Sequence, residues 1–264
     1  GAYLIRAGGC VSCHTDKKHG GALLSGGRDV DTPFGVFVTP NLTPDKETGI
    51  GAWTDEDFVR ALQAGEGVHG EQLYPVFPYT SYSRMSVSDA LAIKAYLFSL
   101  PAVKHDVGPH RLGFPFSWRG VMKGWKLLFF SGPLELKDDA SKDATWNRGR
   151  YLVTALGHCA ECHSPRNFMG AIPADRRFSG GPDPEGHGFI PNITPHADGL
   201  AKWSDKDIAY LLETGQNPEA DAVGGSMTEV AINTGKLSPA DRNAMAAYLK
   251  SLPPRPGKAP PAKP

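Results

Sequence analysis

Two short clusters constrain this chain more than anything else in it. They are Cys10, Cys13 and His14 in "GGCVSCHTD", and Cys159, Cys162 and His163 in "GHCAECHSP". Together they hold all four cysteines of a 264-residue chain. A disulfide scaffold does not run on so few cysteines, and each pair is too close for an ordinary bridge. Two Cys-x-x-Cys pairs can build a Cys₄ zinc site, but that leaves both following histidines unexplained, and zinc pairs are separated by far shorter loops. Cys-x-x-Cys-His is the attachment sequence of c-type haem. The two thiols add across the haem vinyl groups, and the next imidazole is held beneath the iron as proximal ligand. Two covalently bound haem c groups are therefore expected. Cys10, Cys13, Cys159 and Cys162 would attach them, and His14 and His163 would ligate the metal.

A chain that must wrap two porphyrins needs loops as well as helices, and 31 glycines and 23 prolines supply them. The two motifs sit in a longer internal repeat. "GAYLIRAGGCVSCH" matches "GRYLVTALGHCAECH" with one inserted residue, and "TPNLTPD" matches "IPNITPH". Residues 53–65 match 203–215 at a constant shift of 150, and 85–101 match 237–253 at a shift of 152. Thr54 and Ser204 read as N-caps with Asp57 and Asp207 three residues on, and Gly65 and Gly215 as stops. Ser238 reads as an N-cap with Pro239 in the first helical position. Each half is thus expected to have a helix ending in the cysteine motif, a middle helix and a closing helix. The expected boundaries are 1–103 for the first domain, 104–143 for an inter-domain linker, 144–253 for the second domain and 254–264 for a Pro-rich tail. Twenty-eight basic and 28 acidic residues cancel, which argues against a nucleic-acid partner. No apolar run is long enough to span a membrane.

The repeated pattern resembles class I cytochrome c over nearly the whole chain. The stretches "TPNLTPDKETGIGAW", "LYPVFPYTSYSRMS", "FPFSWRGVMKGW" and "NRGRYLVTALGHCAECHSPRN" resemble more narrowly the diheme and triheme cytochrome c subunits of periplasmic alcohol, aldehyde and sugar-acid dehydrogenases. The resemblance implies a mainly α fold, two tandem class I cytochrome c domains with long Gly/Pro-rich loops around the haems. It also implies a periplasmic relay without catalysis of its own, peripheral to the inner membrane at most. A dehydrogenase would be the donor and an oxidase or another cytochrome the acceptor. A leader is expected ahead of the chain, because bacteria attach haem c outside the cytoplasm. Relatives of the alcohol dehydrogenase type carry a third haem domain and a membrane anchor after the second domain, where this chain has its Pro-rich tail, and that departure puts direct membrane attachment in doubt. A diheme peroxidase or a thiosulfate-oxidising enzyme with an openable first haem is the rival reading.

The sixth iron ligands separate these readings, since His/Met ligation closes the iron and raises its potential. Met227 in the Gly-rich "VGGSMTE" is the expected ligand of the second haem. Its counterpart across the repeat falls near Phe77, which cannot ligate. Met85, just ahead of the closing helix, is then the leading candidate for the first haem, with His69 the next and an open iron the third. Met122, Met169 and Met245 are expected to pack. Tyr3, Tyr151, Trp53 and Trp203 recur at matched positions and are expected in the core, and Asn41 and Asn192 in turns.

Overall fold

Capping chemistry sets the helix frame, and it works alike in both halves. The computed structural model describes residues 1–186 and 188–257. The chain divides into two compact units, Gly1–Leu136 and Lys137–Pro264. Of the expected Pro-rich tail, residues 258–264 lie outside the described residues.

The first unit opens with α1 (Ala2–Ala7) and α2 (Cys10–His14), followed by a hairpin of β1 (Asp29–Thr32) and β2 (Gly35–Val38). Then come α3 (Asp55–Ala64), α4 (Tyr79–Tyr82) and α5 (Val87–Phe98). The Thr54 hydroxyl accepts from the Asp57 N–H while the Asp57 carboxylate accepts from Thr54, a capping box. Gly65, at φ 63°, stops α3 in the left-handed conformation that glycine adopts without strain. Met85 and Leu97 are buried, with Ala90 and Ile93 of α5 beside them in the core.

Residues 104–136 are not a free connection; they belong to the first unit. β3 (Arg111–Leu112) adds an antiparallel edge to β2, with Gly35 opposite Leu112. α6 (Val121–Phe129) buries Met122 and Trp125. Phe130 and Trp125 stack edge-on against Tyr79, at ring separations of 5.1 and 6.4 Å. Lys126 Nζ donates to the carbonyls of Ala64 and Gly65 at 2.7 Å each. It thereby satisfies the orphan oxygens and the negative dipole end of α3. Periodicity could not show this, because the partners lie far apart in sequence: Lys126 bonds to Ala64, and Leu112 pairs with Gly35.

The second unit repeats the frame. α7 (Ala144–Tyr151) runs directly into a π-helical turn, Leu152–Leu156. That wider turn absorbs the one residue inserted between Gly149 and Cys159, so the helix and the motif keep their relative placement. β4 (Gly181–Pro182) pairs with β5 (Phe189–Ile190). α8 (Asp205–Thr214), α9 (Ser226–Thr234) and α10 (Pro239–Lys250) follow. Ser204 and Asp207 form the second capping box, Gly215 stops α8 at φ 76°, and Ser238 caps α10 with Pro239 behind it.

Each opening helix crosses its closing helix at a glycine. A Cβ on Gly1 would collide with the Ala92 carbonyl and Tyr96, and one on Gly149 with the Ala244 carbonyl and Tyr248. Ala92 and Ala244 are themselves repeat partners, so the same close crossing is built twice.

Candidate haem sites

The cysteine motifs do not continue the opening helices. Gly9 (φ 63°) and His158 (φ 39°), at matching positions, turn left-handed immediately before the first cysteine. The break presents each motif as its own short turn, α2 in the first unit and a 3₁₀ turn, Cys159–Glu161, in the second. Glycine adopts that conformation freely, whereas histidine carries a steric cost of about 1–2 kcal/mol. None of the four cysteines is in a disulfide.

Each motif histidine is held from two sides. His14 Nδ1 lies 2.8 Å from the Pro40 carbonyl, and His163 Nδ1 lies 2.8 Å from the Pro191 carbonyl. A carbonyl only accepts, so Nδ1 carries the proton and Nε2 keeps its lone pair for a metal. Burial pushes both imidazoles below their ordinary pKa, which favours the neutral form that ligates. The main chain is fixed as well. Gly26 N–H donates to the His14 carbonyl at 2.8 Å, and Gly180 N–H to the His163 carbonyl at 2.9 Å. A side chain on Gly26 would strike the Thr39–Pro40 backbone, and one on Gly180 the backbone of residues 190–192. Leu24 and Phe178, both buried and left-handed at φ 60° and 67°, bring the chain to those glycines.

Asn41 and Asn192 do more than turn the chain. The Asn41 Oδ1 accepts from the Thr43 N–H and hydroxyl, at 2.9 and 2.8 Å. Its Nδ2 donates to Thr48 Oγ1 and to the Val103 carbonyl. Asn192 Oδ1 accepts from Thr194 in the same way, and its Nδ2 donates to Asp198 and to the Arg255 carbonyl. Each buried asparagine ties the loop carrying the proline carbonyl to the segment after the closing helix. Sequence reasoning missed the roles of Pro40, Pro191, Gly26 and Gly180. Only their recurrence in matching places could have signalled them, since backbone groups have no residue signature.

Two thiols and one Nε2 at each motif fit a covalently bound haem, and the candidate sixth ligands fall in different surroundings. Met227 sits half-buried in the first turn of α9, just past Gly225, rather than in an open loop. Met85 is 1% exposed, the Gln63 side chain donates to its carbonyl at 2.7 Å, and its repeat partner is Leu237, 4% exposed. His69 is exposed at a turn, its N–H bonded to Glu71. Met122 and Met245 are buried and Met169 is half-buried; Tyr3, Tyr151, Trp53 and Trp203 are half-buried rather than in the core.

The family model for cytochrome c matches residues 1–101 and 147–253, one match per unit. A "Diheme cytochrome c-type" protein of Cereibacter sphaeroides is 44% identical over 96% of this chain and 85% of its own length. The fructose dehydrogenase cytochrome subunit of Gluconobacter japonicus is 37% identical over 96% of this chain and 52% of its own length. For the gluconate 2-dehydrogenase cytochrome c subunit of Pantoea cypripedii the values are 36%, 96% and 58%. The chain thus spans about half the length of these dehydrogenase subunits. Paired attachment motifs, a twice-built frame around each histidine and these likenesses agree: the chain belongs to the cytochrome c family and is a diheme c-type cytochrome, an electron-transfer protein with two covalently bound haem c groups.

Proposed function

We propose that this cytochrome takes electrons from a periplasmic dehydrogenase and passes them to an oxidase or another cytochrome. Cys10 and Cys13 attach the first haem and Cys159 and Cys162 the second. His14 and His163 are the proximal ligands, and Met227 is the sixth ligand of the second iron. The observation that carries the reading is the doubled histidine frame. Haem supplies a one-electron couple, and the chain supplies position and tuning. An imidazole fixed through its ring and its main chain keeps the iron's surroundings alike in both oxidation states. Two such centres in one chain suit a donor that oxidises its substrate by two electrons. Dehydrogenase subunits among the relatives support that donor class. Among the described residues no helix is long and apolar enough to cross a membrane.

The test is reduction by substrate. The oxidised protein is mixed with periplasmic or membrane extract of its own bacterium, and an alcohol, fructose or gluconate is added. At least one substrate should reduce haem at a rate that scales with extract. Failure of every substrate while ascorbate reduces the protein would remove the dehydrogenase as donor.

A further inference from the structure

The two units share their frame but not the residue at the sixth-ligand position. After each middle helix the chain makes the same turn. Leu73 N–H donates to the Gly65 carbonyl and Val223 N–H to the Gly215 carbonyl, both at 2.8 Å. Isolated bridges pair Glu66 with Gln72 and Gln216 with Ala222 just inside those bonds. Four residues past the shared bond come Phe77 and Met227, with no insertion between. The register is therefore set by backbone pairing and not by similarity of side chains. By that count Phe77 takes the place of Met227, in the turn before α4 where Met227 lies in the first turn of α9.

The other donors of the first unit have different tasks. Met85 N–H donates to Tyr82 and Leu237 N–H to Thr234, at 2.9 and 3.0 Å, and a capping serine follows each. In the second unit that position is a buried leucine, so the fold uses it for packing. Met and Leu exchange there at nearly constant volume. His69 matches Glu219, and both are exposed in the turn. His105 and His110 bond to Ser25 and Val38, in the segment 25–40 that frames His14 from the proximal side.

We propose that the first iron has no protein ligand in its sixth position and that Phe77 makes this a site for a small neutral diatomic molecule, such as nitric oxide or carbon monoxide. The surroundings select the ligand class. The Phe77 ring lies 5.6 Å from that of Tyr82, and the Tyr82 hydroxyl donates to the Gly8 carbonyl at 3.2 Å. An apolar cover whose neighbouring Tyr82 hydroxyl is engaged does little for a bound anion or for peroxide, which need a donor or a proton. A neutral diatomic is held by electron donation from ferrous iron and needs neither. The inference rests on Met227 being the ligand of the second iron.

Carbon monoxide titration of the reduced holoprotein tests it, with the methionine–iron charge-transfer band of the oxidised protein as second readout. Wild type should bind one carbon monoxide per two haems and show the band of one methionine–iron bond. Phe77→Met should cut that binding at least tenfold and double the band. Met85→Leu should change neither, and Met227→Leu should raise binding from one to two and abolish the band. Wild type and Met85→Leu decide the matter even if Phe77→Met fails to fold. A wild type inert to carbon monoxide overturns the proposal, and a site opened by Met85→Leu would then name Met85 as the ligand. If Met227→Leu leaves the band and the stoichiometry unchanged, the assignment of Met227 falls and takes the register argument with it.

Discussion

The first and second units are two solutions to one problem: they agree in how the motif histidine is held, and in the reading proposed above they differ where the iron meets its sixth neighbour. Proline carbonyl, left-handed glycine, buried asparagine and capped helices recur bond for bond. Phe77 against Met227 is the departure inside the frame, and residues 104–136 are the departure outside it. Geometry that fixes the haem tolerates little change, because each group there answers another. The sixth position answers only the iron, so a change there retunes the centre and leaves the fold alone.

The largest expected effect separates the centres outright. Replacing Cys10 and Cys13 by alanine should lower the intact mass by one haem, and replacing Cys159 and Cys162 should do the same. Neither should disturb the other unit's spectrum. If either pair cost both haems, the units would not be independent frames. With the same variants, a redox titration assigns the couples. Methionine ligation raises the potential, and axial ligands command a span of roughly 0.8 V. The couple lost with Cys10 and Cys13 should be the lower one, by on the order of 0.1 V or more. A higher potential for the first haem would argue for a thioether there.

Next in size is the asparagine tie. Asn41→Ala and Asn192→Ala each leave several buried groups without partners, at about 1–3 kcal/mol for a group so stranded. Each should cost its unit about 2–4 kcal/mol, or on the order of 10 °C in Tm for a domain of this size. The two losses should be similar in thermal melts. A mild Asn192→Ala beside a severe Asn41→Ala would mean that the segment after α10 contributes less than its counterpart after α5.

The frame was legible in the sequence as far as its chemistry is local. Cysteine spacing, N-cap residues, helix stops and the repeat act within a few residues of themselves, and Thr54, Ser204, Gly65, Gly215 and Ser238 all hold the places expected of them. The inserted residue before Cys159 was visible, but its accommodation in a π-helical turn was not. The hairpin of β1 and β2 was missed because four-residue strands leave too little periodicity, and β3 because its two residues pair with a segment far away in the sequence. Residues 104–136 read as a connection because they lack a repeat partner, yet Trp125 and Lys126 bind them to α3 and α4. The proline carbonyls that orient His14 and His163 were illegible for a simpler reason: any residue has a carbonyl.

The smallest expected effect lies in the capping boxes, and it tests the likeness of the units in the second coordinate of pH. In the first box the Thr54 hydroxyl and then its N–H hold Asp57 down to about 2. In the second, the Ser204 N–H and then its hydroxyl hold Asp207 below its ordinary value. A carboxyl depressed in the folded state contributes stability in full above its unfolded pKa, near 4, and loses it as pH falls through the folded value. Both boxes should therefore weaken between about pH 4 and pH 2. Thr54→Ala and Ser204→Ala should each cost about 1 kcal/mol near neutrality, the usual value of such a cap. The deficit against wild type should shrink on the acid side, because protonation progressively takes away the carboxylate's half of the box while the hydroxyl's bond to the N3 N–H remains. Thermal melts of the three proteins at pH 7 and pH 2.5 measure this. A deficit that stays constant across that range in one unit and shrinks in the other would show that only one box is coupled to its carboxylate, and would end the equivalence of α3 and α8.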